Sequence, residues 1–226
     1  MKAKKDEWTL LWDEICDTWR ETIDVDKDPT KSRKDPDVVA AMMRKYGDLG
    51  VKLALLTYPE IVETPGDETV DMHLRNGKTL EVKIDGRGAA TGNLFYEVLS
   101  NGNLSALVRD DPDYLLYFLP CLINDETGEI IEPVRLGILI DNRRMRAEIE
   151  ACLGRTLPEV ASGARRGEIR QWTWFGDNEF AYVYSRHGTS GFVIPWRTVK
   201  PKRDYPIVKR PYFVEMATGP GRKFPA

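Results

Sequence analysis

Two acids and an amine are spaced in this sequence so that they could hold a metal ion. Glu81 and Lys83 occupy alternate positions of the segment TLEVKI (79–84), and Asp71 lies in the preceding segment of alternating polarity. Alternate residues of a β-strand share one face, so Glu81 and Lys83 are expected side by side. Carboxylate oxygens are the ligands that Mg²⁺ takes, and an amine beside them can stabilise developing negative charge. The charges of this strand are therefore expected to face a metal ion.

The hairpin that must position these residues has two candidate registers. A two-residue turn would pair Met72 with Glu81 and would set apolar side chains against charged ones along the ladder. A three-residue loop, 75–77, whose final glycine takes the left-handed conformation of a bulge, pairs Met72 with Leu80 and Asp71 with Glu81. All large apolar side chains then share one face, so we expect the second register.

The expected register leaves two acids in direct opposition. Directly opposed residues have Cβ atoms about 5 Å apart, so two carboxylates placed there repel each other and need positive charge between them. Lys83 would supply part of that charge, and a divalent cation with oxygen ligands would supply the rest. The alternative is a solvated hairpin face on which the three charges lie near one another without a function. Such faces are common, and the hairpin alone favours this simpler interpretation.

Apolar periodicity predicts the elements around the hairpin. Asp35 is expected to cap the second helix, and 24–35 to form a polar linker. Segment 49–58 is ambiguous between a helix and a buried strand, and we favour a helix. The predicted helices span 6–22, 36–47, 49–58 and 142–153, and the predicted strands span 94–100 and 113–119, with two or three more in 172–199. The late strands are expected either to form a small sheet of their own or to extend the first one.

Composition excludes several classes of protein. A chain of 226 residues can bury a core without disulfide or metal staples. Its three cysteines form no zinc-binding pattern, and no export signal or membrane-length apolar run is present. We therefore expect a cytoplasmic protein with no membrane partner. The net charge of −3 carries no global basic signature, but basic residues gather in 197–226, which either follow a polyanion or form a solvated tail.

Further motifs surround the two acids and the amine. Asp71 is followed after nine residues by Glu81-Val82-Lys83. Then come Thr91-Gly92-Asn93, Phe95-Tyr96-Glu97 and Asp113-Tyr114. This arrangement resembles the PD-(D/E)XK, or restriction-endonuclease-like, nuclease superfamily in its phage and bacterial members, over roughly residues 36–120. The usual proline before the first acid is absent, and the first-helix acid has three candidates: Asp37, Asp48 and Glu60.

The resemblance implies an α/β fold in which helices flank a central mixed β-sheet, with an added N-terminal helix and C-terminal strands. It also implies a Mg²⁺- or Mn²⁺-dependent nuclease that acts on DNA, with Asp71, Glu81 and Lys83 as catalytic residues. The implied metal ligands are Asp71, Glu81, the carbonyl of Val82, and Glu97. Duplex cutting would suit a homodimer. The expected organisation is a helix and linker (1–30), a nuclease-like domain (31–200) and a basic tail (201–226).

Four residues are candidates for contacting nucleic acid. Arg87 and Asn93 belong to the segment DGRGAATGN, which we expect to be a flexible loop, and Arg143 and Arg144 begin a predicted helix. Two other functions remain open. One is a catalytically inactive relative that binds nucleic acid or protein through the same scaffold. The other is an interaction protein that assembles through its Trp-rich N-terminal helix.

Overall fold

The protein has a mixed α/β fold in which helices flank a central sheet, as the sequence analysis predicted. The computed structural model describes residues 6–27, 36–63, 71–109, 111–124, 127, 129–169, 173–175, 180–184, 189–196 and 210–225. The described helices are α1 (Glu7–Lys27), α2 (Pro36–Thr57), α3 (Gly88–Thr91), α4 (Ala106–Arg109), α5 (Asn142–Leu153) and α6 (Leu157–Arg165). The described strands are β1 (Ile61–Glu63), β2 (Met72–Leu74), β3 (Thr79–Ile84), β4 (Asn93–Ser100), β5 (Asn103–Leu104), β6 (Tyr114–Ile123), β7 (Ile130–Asp141), β8 (Thr173–Phe175), β9 (Phe180–Tyr184), β10 (Ser190–Pro195) and β11 (Phe213–Ala217).

Among the described residues, six strands form the central sheet in the order β1-β2-β3-β6-β7-β11. Strands β3 and β6 run parallel, and the other neighbours are antiparallel. Strand β6 is almost continuously apolar and buried, which is typical of a strand covered on both faces. Its central position therefore follows from its composition.

Helices α1 and α2 cover one face of the central sheet. The aromatic stripe of α1 is a packing face, as predicted: Trp12 is fully buried, and its ring meets that of Phe118 edge-on at 5.4 Å. Helix α1 continues to Lys27, so the first residues of the expected linker are helical. Helix α2 runs without interruption to Thr57, which confirms the helical interpretation of most of 49–58. The predicted cap Asp35 lies outside the described residues. No helix in the described part of the chain is both long and apolar enough to cross a membrane.

The opposite face of the central sheet packs against α5, α6 and a second sheet. In the described residues, the order of that sheet is β5-β4-β10-β9-β8, and all its neighbours are antiparallel. The late strands thus neither stand alone nor extend the central sheet, because β10 pairs with β4. Phe180, Tyr182 and Phe192 are buried between the layers, as expected for core aromatics.

The C-terminal residues differ from the expected basic tail. Strand β11 pairs with β7 at the edge of the central sheet. The backbone N–H of Gly221 donates to the carbonyl of Leu56 at 2.9 Å, and the ring of Phe224 packs on Tyr58 and Tyr114. Residues 210–225 are therefore part of the folded layer, and the prediction of a tail is wrong for them.

Helix ends match their sequence signals. Asp141 caps α5 by accepting from the N–H of Arg144 at 3.0 Å, and Gly154 ends that helix with φ +62°, both as predicted. Helix α6 was not predicted from the sequence, although Thr156 and Glu159 form a complete capping box at its start. That signal was present in the sequence and would have located the helix.

Gly47→Ala is expected to stabilise the protein by about 0.5–1 kcal/mol, because glycine is entropically costly within a helix. Gly47 lies inside α2, is exposed, and has no atom within 4 Å of an added Cβ. Urea denaturation measures the change. Gly154→Ala is the matched control. Gly154 has a positive φ, which alanine adopts with strain, so this variant is expected to lose stability. A destabilised Gly47→Ala variant would contradict the argument.

Candidate active site

The hairpin β2-β3 adopts the predicted bulged register. Gly77 has φ +81°, and its N–H donates to the carbonyl of Leu74 at 2.9 Å. The N–H of Leu74 in turn donates to the carbonyl of Lys78 at 2.8 Å, and Met72 pairs with Leu80. The three-residue loop is therefore confirmed, together with the placement of the charged residues of β3 on the face opposite to Leu80.

Asp71 and Glu81 lie beside each other at the end of this hairpin. Asp71 immediately precedes β2, and its carboxylate accepts from the N–H of Val82 at 2.7 Å. The backbone N–H of Asp71 reaches the carboxylate of Glu81 and acts to lower the pKa of that group. The two acids thus meet as the register predicted, and Asp71 is also anchored to the backbone of β3.

Glu81 and Lys83 form a largely buried ion pair. The Lys83 Nζ lies 2.5 Å from the Glu81 Oε1, with the Glu81 side chain 7% exposed and the Lys83 side chain 35% exposed. Burial raises the pKa of Glu81; Lys83 opposes the shift, and the nearby Asp71 adds to it. Burial also acts to lower the pKa of Lys83, but the charge and hydrogen bond of Glu81 outweigh it and raise that pKa. Lys83 is consequently held in its charged form.

Two further acids lie near Lys83. Burial raises the pKa of Glu97 on β4, and the charge of Lys83 opposes that shift. Asp85 follows β3, and its carboxylate accepts from the backbone N–H groups of Arg87 at 3.0 Å and Gly88 at 2.8 Å. Burial raises the pKa of Asp85 despite these bonds. Asp85 therefore positions the turn into α3, the single helical turn found where a flexible loop was expected.

The cluster of Asp71, Glu81 and Lys83 suits a divalent cation by charge. When Asp71, Glu81 and Glu97 are ionised, three negative charges surround the ammonium of Lys83, so negative charge is in excess. The N–H of Val82 donates to Asp71, and because the N–H and C=O of one strand residue point to the same side of the strand, the Val82 carbonyl is expected on that side as well. Within the described residues, no group of three or more His, Cys, Asp or Glu side chains gathers as a metal site. The groups that could bind a cation here are the carboxylates of Asp71 and Glu81 and the carbonyl of Val82.

A cavity of about 520 Å³ opens beside Lys83 and is called the side cavity below. It is lined by Trp19, Lys83, Ile84, Asp85, Gly86, Arg87, Thr91, Asn93, Leu94, Phe95, Glu97, Leu107, Tyr117 and Val193. Most of these side chains are partly exposed, so the cavity is open to solvent. Lys83 thus pairs with Glu81 on one side and lines the solvent-accessible cavity on the other.

The structure brings some of the predicted nucleic-acid-binding residues to the site. Arg87 and Asn93 line the side cavity. Arg143 instead pairs with Asp113 at 3.0 Å, and Arg144 pairs with Asp141, the cap of α5, at 3.5 Å. The last two therefore lie in the first turn of α5, and neither lines the cavity.

Asp113, from the predicted Asp-Tyr strand, has a structural contact. Its carboxylate accepts from the backbone N–H of Thr79 at 2.9 Å and holds the start of β3 against β6. Among the candidates for the first-helix acid, Glu60 accepts from the N–H of Phe224 at 3.2 Å, and Asp48 is exposed. The side chain of Asp37 lies outside the described residues. None of these contacts joins an acid to the cluster.

Trp19 is one of the site residues that sequence analysis did not identify, because it belongs to the apolar stripe of α1. It reaches the cavity by packing on Gly86, where an added Cβ would lie 2.3 Å from the indole Cζ3. The glycine directly after Asp85 was the available signal. The partner of that glycine lies 67 positions earlier in the sequence, and periodicity cannot reveal such a contact.

Comparison of the sequence with family models and with curated proteins, and of the fold with solved structures, finds no match. The functional argument therefore depends on the site.

Breaking the ion pair is expected to destabilise the fold. Lys83→Met leaves the carboxylate of Glu81 buried and without its cation. Fully buried pairs lose about 3–5 kcal/mol on such a change, and the partial exposure of Lys83 reduces the expected loss to about 1–3 kcal/mol. The loss should become smaller as the pH falls, because burial raises the pKa of Glu81 and removal of the opposing Lys83 charge raises it further, so that the carboxyl can take up a proton.

The double variant Glu81→Gln/Lys83→Met tests the origin of that loss. It removes both charges and should recover most of the stability, as measured by urea denaturation of both single variants and the double variant. Losses that simply add would show that the two groups do not interact.

Proposed function

We infer that this protein is a metal-dependent nuclease that hydrolyses phosphodiester bonds in DNA through Asp71, Glu81 and Lys83. The observation that carries the proposal is the Glu81–Lys83 ion pair with Asp71 beside it, at the solvent-accessible end of a buried strand. Buried charged groups with shifted pKa values next to a cavity are typical of catalytic sites. The motif order that resembles PD-(D/E)XK nucleases supports the same chemistry.

Each residue has a role in this proposal. Asp71, Glu81 and the carbonyl of Val82 would hold Mg²⁺ or Mn²⁺, which supplies positive charge and activates water when bound. Lys83, kept charged by Glu81, would stabilise the negative charge that grows on the phosphate in the transition state. Glu97 interacts with Lys83 across the sheets and would tune that ammonium rather than complete a three-carboxylate metal site.

A second function, a nucleic-acid-binding module without catalysis, is favoured by one observation. Lys83 bonds directly to Glu81, so the carboxylate already has a cationic partner. In this alternative, the ion pair would replace the metal. Binding of DNA that persists in EDTA, without cleavage in Mg²⁺ or Mn²⁺, would favour the module.

Asp71→Asn provides the first test of the nuclease. The amide keeps the size of the side chain and removes the negative charge, so metal affinity and cleavage should both fall, cleavage by about 100-fold or more. End-labelled single-stranded, duplex and branched DNA are incubated with Mg²⁺ or Mn²⁺, and the products are separated on denaturing gels. The metal-induced rise in melting temperature is measured in parallel.

Glu148→Gln is the matched control, since Glu148 is an exposed acid on α5 and was never a candidate for the site. It should cleave DNA and respond to metal like the wild-type protein. If the Asp71→Asn variant cleaved DNA at the wild-type rate, the assigned catalytic centre would be wrong.

A further inference from the structure

We propose that the side cavity receives the base of one unstacked nucleotide, so that the substrate is single-stranded or frayed nucleic acid rather than a continuous duplex. The proposal rests on the nuclease function and names its substrate class. Its starting observation is that Lys83 belongs both to the Asp71–Glu81–Lys83 cluster and to the cavity wall. A phosphate at Lys83 would therefore place the attached nucleoside at the mouth of the cavity.

The size of the cavity fits a single nucleotide. Its volume of about 520 Å³ lies within the range of about 300–1,000 Å³ that is typical of pockets enclosing small organic ligands. A stacked duplex is much larger than this space. A base must leave its stack before it can enter, and that step costs least when the nucleotide is already single-stranded.

The walls of the cavity combine rings with polar groups. Trp19 and Phe95 supply partly exposed aromatic surface, whereas Tyr117 is buried and its hydroxyl donates to the carbonyl of Phe95 at 2.9 Å. Tyr117 therefore has its polar end engaged within the protein. Aromatic side chains stack on bases of any sequence, and such stacking commonly accounts for single-strand binding.

The polar groups of the wall suit the edge of a base. Glu97 has carboxylate oxygens that can accept from the amino and imino groups of a base, and Asn93 adds an amide, whereas the Asp85 carboxylate already accepts from the backbone N–H groups of Arg87 and Gly88. Arg87 is exposed at the same cavity and can contact the backbone phosphate outside it. Stacking surface and edge contacts thus meet in one space next to the proposed reaction centre.

Val193→Phe tests the proposal by filling the cavity from strand β10, where Val193 is partly exposed. Binding of a short fluorescein-labelled single strand and of a blunt hairpin is measured by anisotropy in EDTA at low ionic strength. The wild-type protein should prefer the single strand by about tenfold or more, the effect of one stacked base. Val193→Phe should lose that preference and bind the hairpin as before.

Val62→Phe is the matched control, the same substitution at an exposed position of strand β1. It should bind both probes like the wild-type protein. A second measurement needs no protein variant: a series of single strands, each with one abasic position, should show one position at which base removal weakens binding by about tenfold.

The proposal would be overturned if the wild-type protein bound neither probe or bound the hairpin and the single strand equally. It would also be overturned if Val193→Phe bound both probes like the wild-type protein, or if no abasic position weakened binding. The measurement is independent of cleavage. A protein that binds as expected but shows no Asp71-dependent cleavage would refute the nuclease and retain the cavity assignment. If the protein cleaved continuous duplex in an Asp71-dependent way but did not prefer single strands, the nuclease function would stand and the cavity assignment would be wrong.

Discussion

Lys83→Met is expected to lower the rate of Mg²⁺-dependent DNA cleavage by about 100-fold to 1,000-fold, the usual cost of removing one group that stabilises transition-state charge. Methionine keeps the length and apolar stem of lysine but carries no ammonium. Glu81 holds that ammonium in its charged form at the edge of the side cavity, where the phosphate would lie. Single-turnover cleavage of an end-labelled strand measures the effect on the chemical step.

The controls for Lys83→Met separate charge from folding. Lys52→Met removes an exposed lysine of α2 and should leave the rate unchanged. Lys83→Arg keeps the charge in a different geometry and should retain part of the activity. Assays run well below each variant's melting temperature exclude unfolding as the cause. A Lys83→Met protein that cleaves at more than about half the wild-type rate would remove Lys83 from the proposed chemistry.

Gly191→Ala is expected to cost about 3 kcal/mol of folding stability or more, or to prevent folding, because the added methyl collides with backbone. A Cβ at Gly191 would lie 2.1 Å from the carbonyl oxygen of Tyr96 and 2.9 Å from the Cα of Glu97. Backbone atoms of a paired strand cannot rotate away as a flexible side chain can. The ladder between β4 and β10 must therefore separate locally, and that ladder positions both Glu97 and Val193.

Gly219→Ala is the matched control, since nothing lies within 4 Å of its added Cβ. It should change the free energy of unfolding by less than about 0.5 kcal/mol. Thermal and urea denaturation of both variants give the comparison. If Gly191→Ala unfolded like the wild-type protein, the close approach of the two strands would be wrong.

Local sequence was sufficient to predict the hairpin and its register. The alternation of Leu80, Val82 and Ile84 with charged residues allowed only one pairing with β2 that kept apolar side chains together, and Gly77 provided the left-handed residue which that pairing needs. The adjacency of Asp71 and Glu81 follows directly. The same kind of evidence predicted α5, since its cap and its terminal glycine both lie next to the helix in sequence.

The prediction of a basic C-terminal tail failed because a distant strand decided the outcome. The C-terminal segment carries basic residues that are typical of a tail, yet 213–217 forms the edge strand β11 through its pairing with β7. Arg143 and Arg144 stay predicted contacts for nucleic acid, but the structure pairs them with Asp113 and Asp141, and neither arginine lines the side cavity. A charge pattern does not show which opposite charge will be near it after folding.

The sequence by itself determined the elements, the hairpin register and the grouping of two acids with one amine, because each depends on contacts between residues close along the chain. Only the tertiary structure decided that Glu81 is buried, that β4 joins the late strands, and that Trp19 packs on Gly86 to line a cavity beside Lys83. Burial and cavity shape arise where layers distant in sequence meet, and apolar periodicity reports which face is covered but not what covers it.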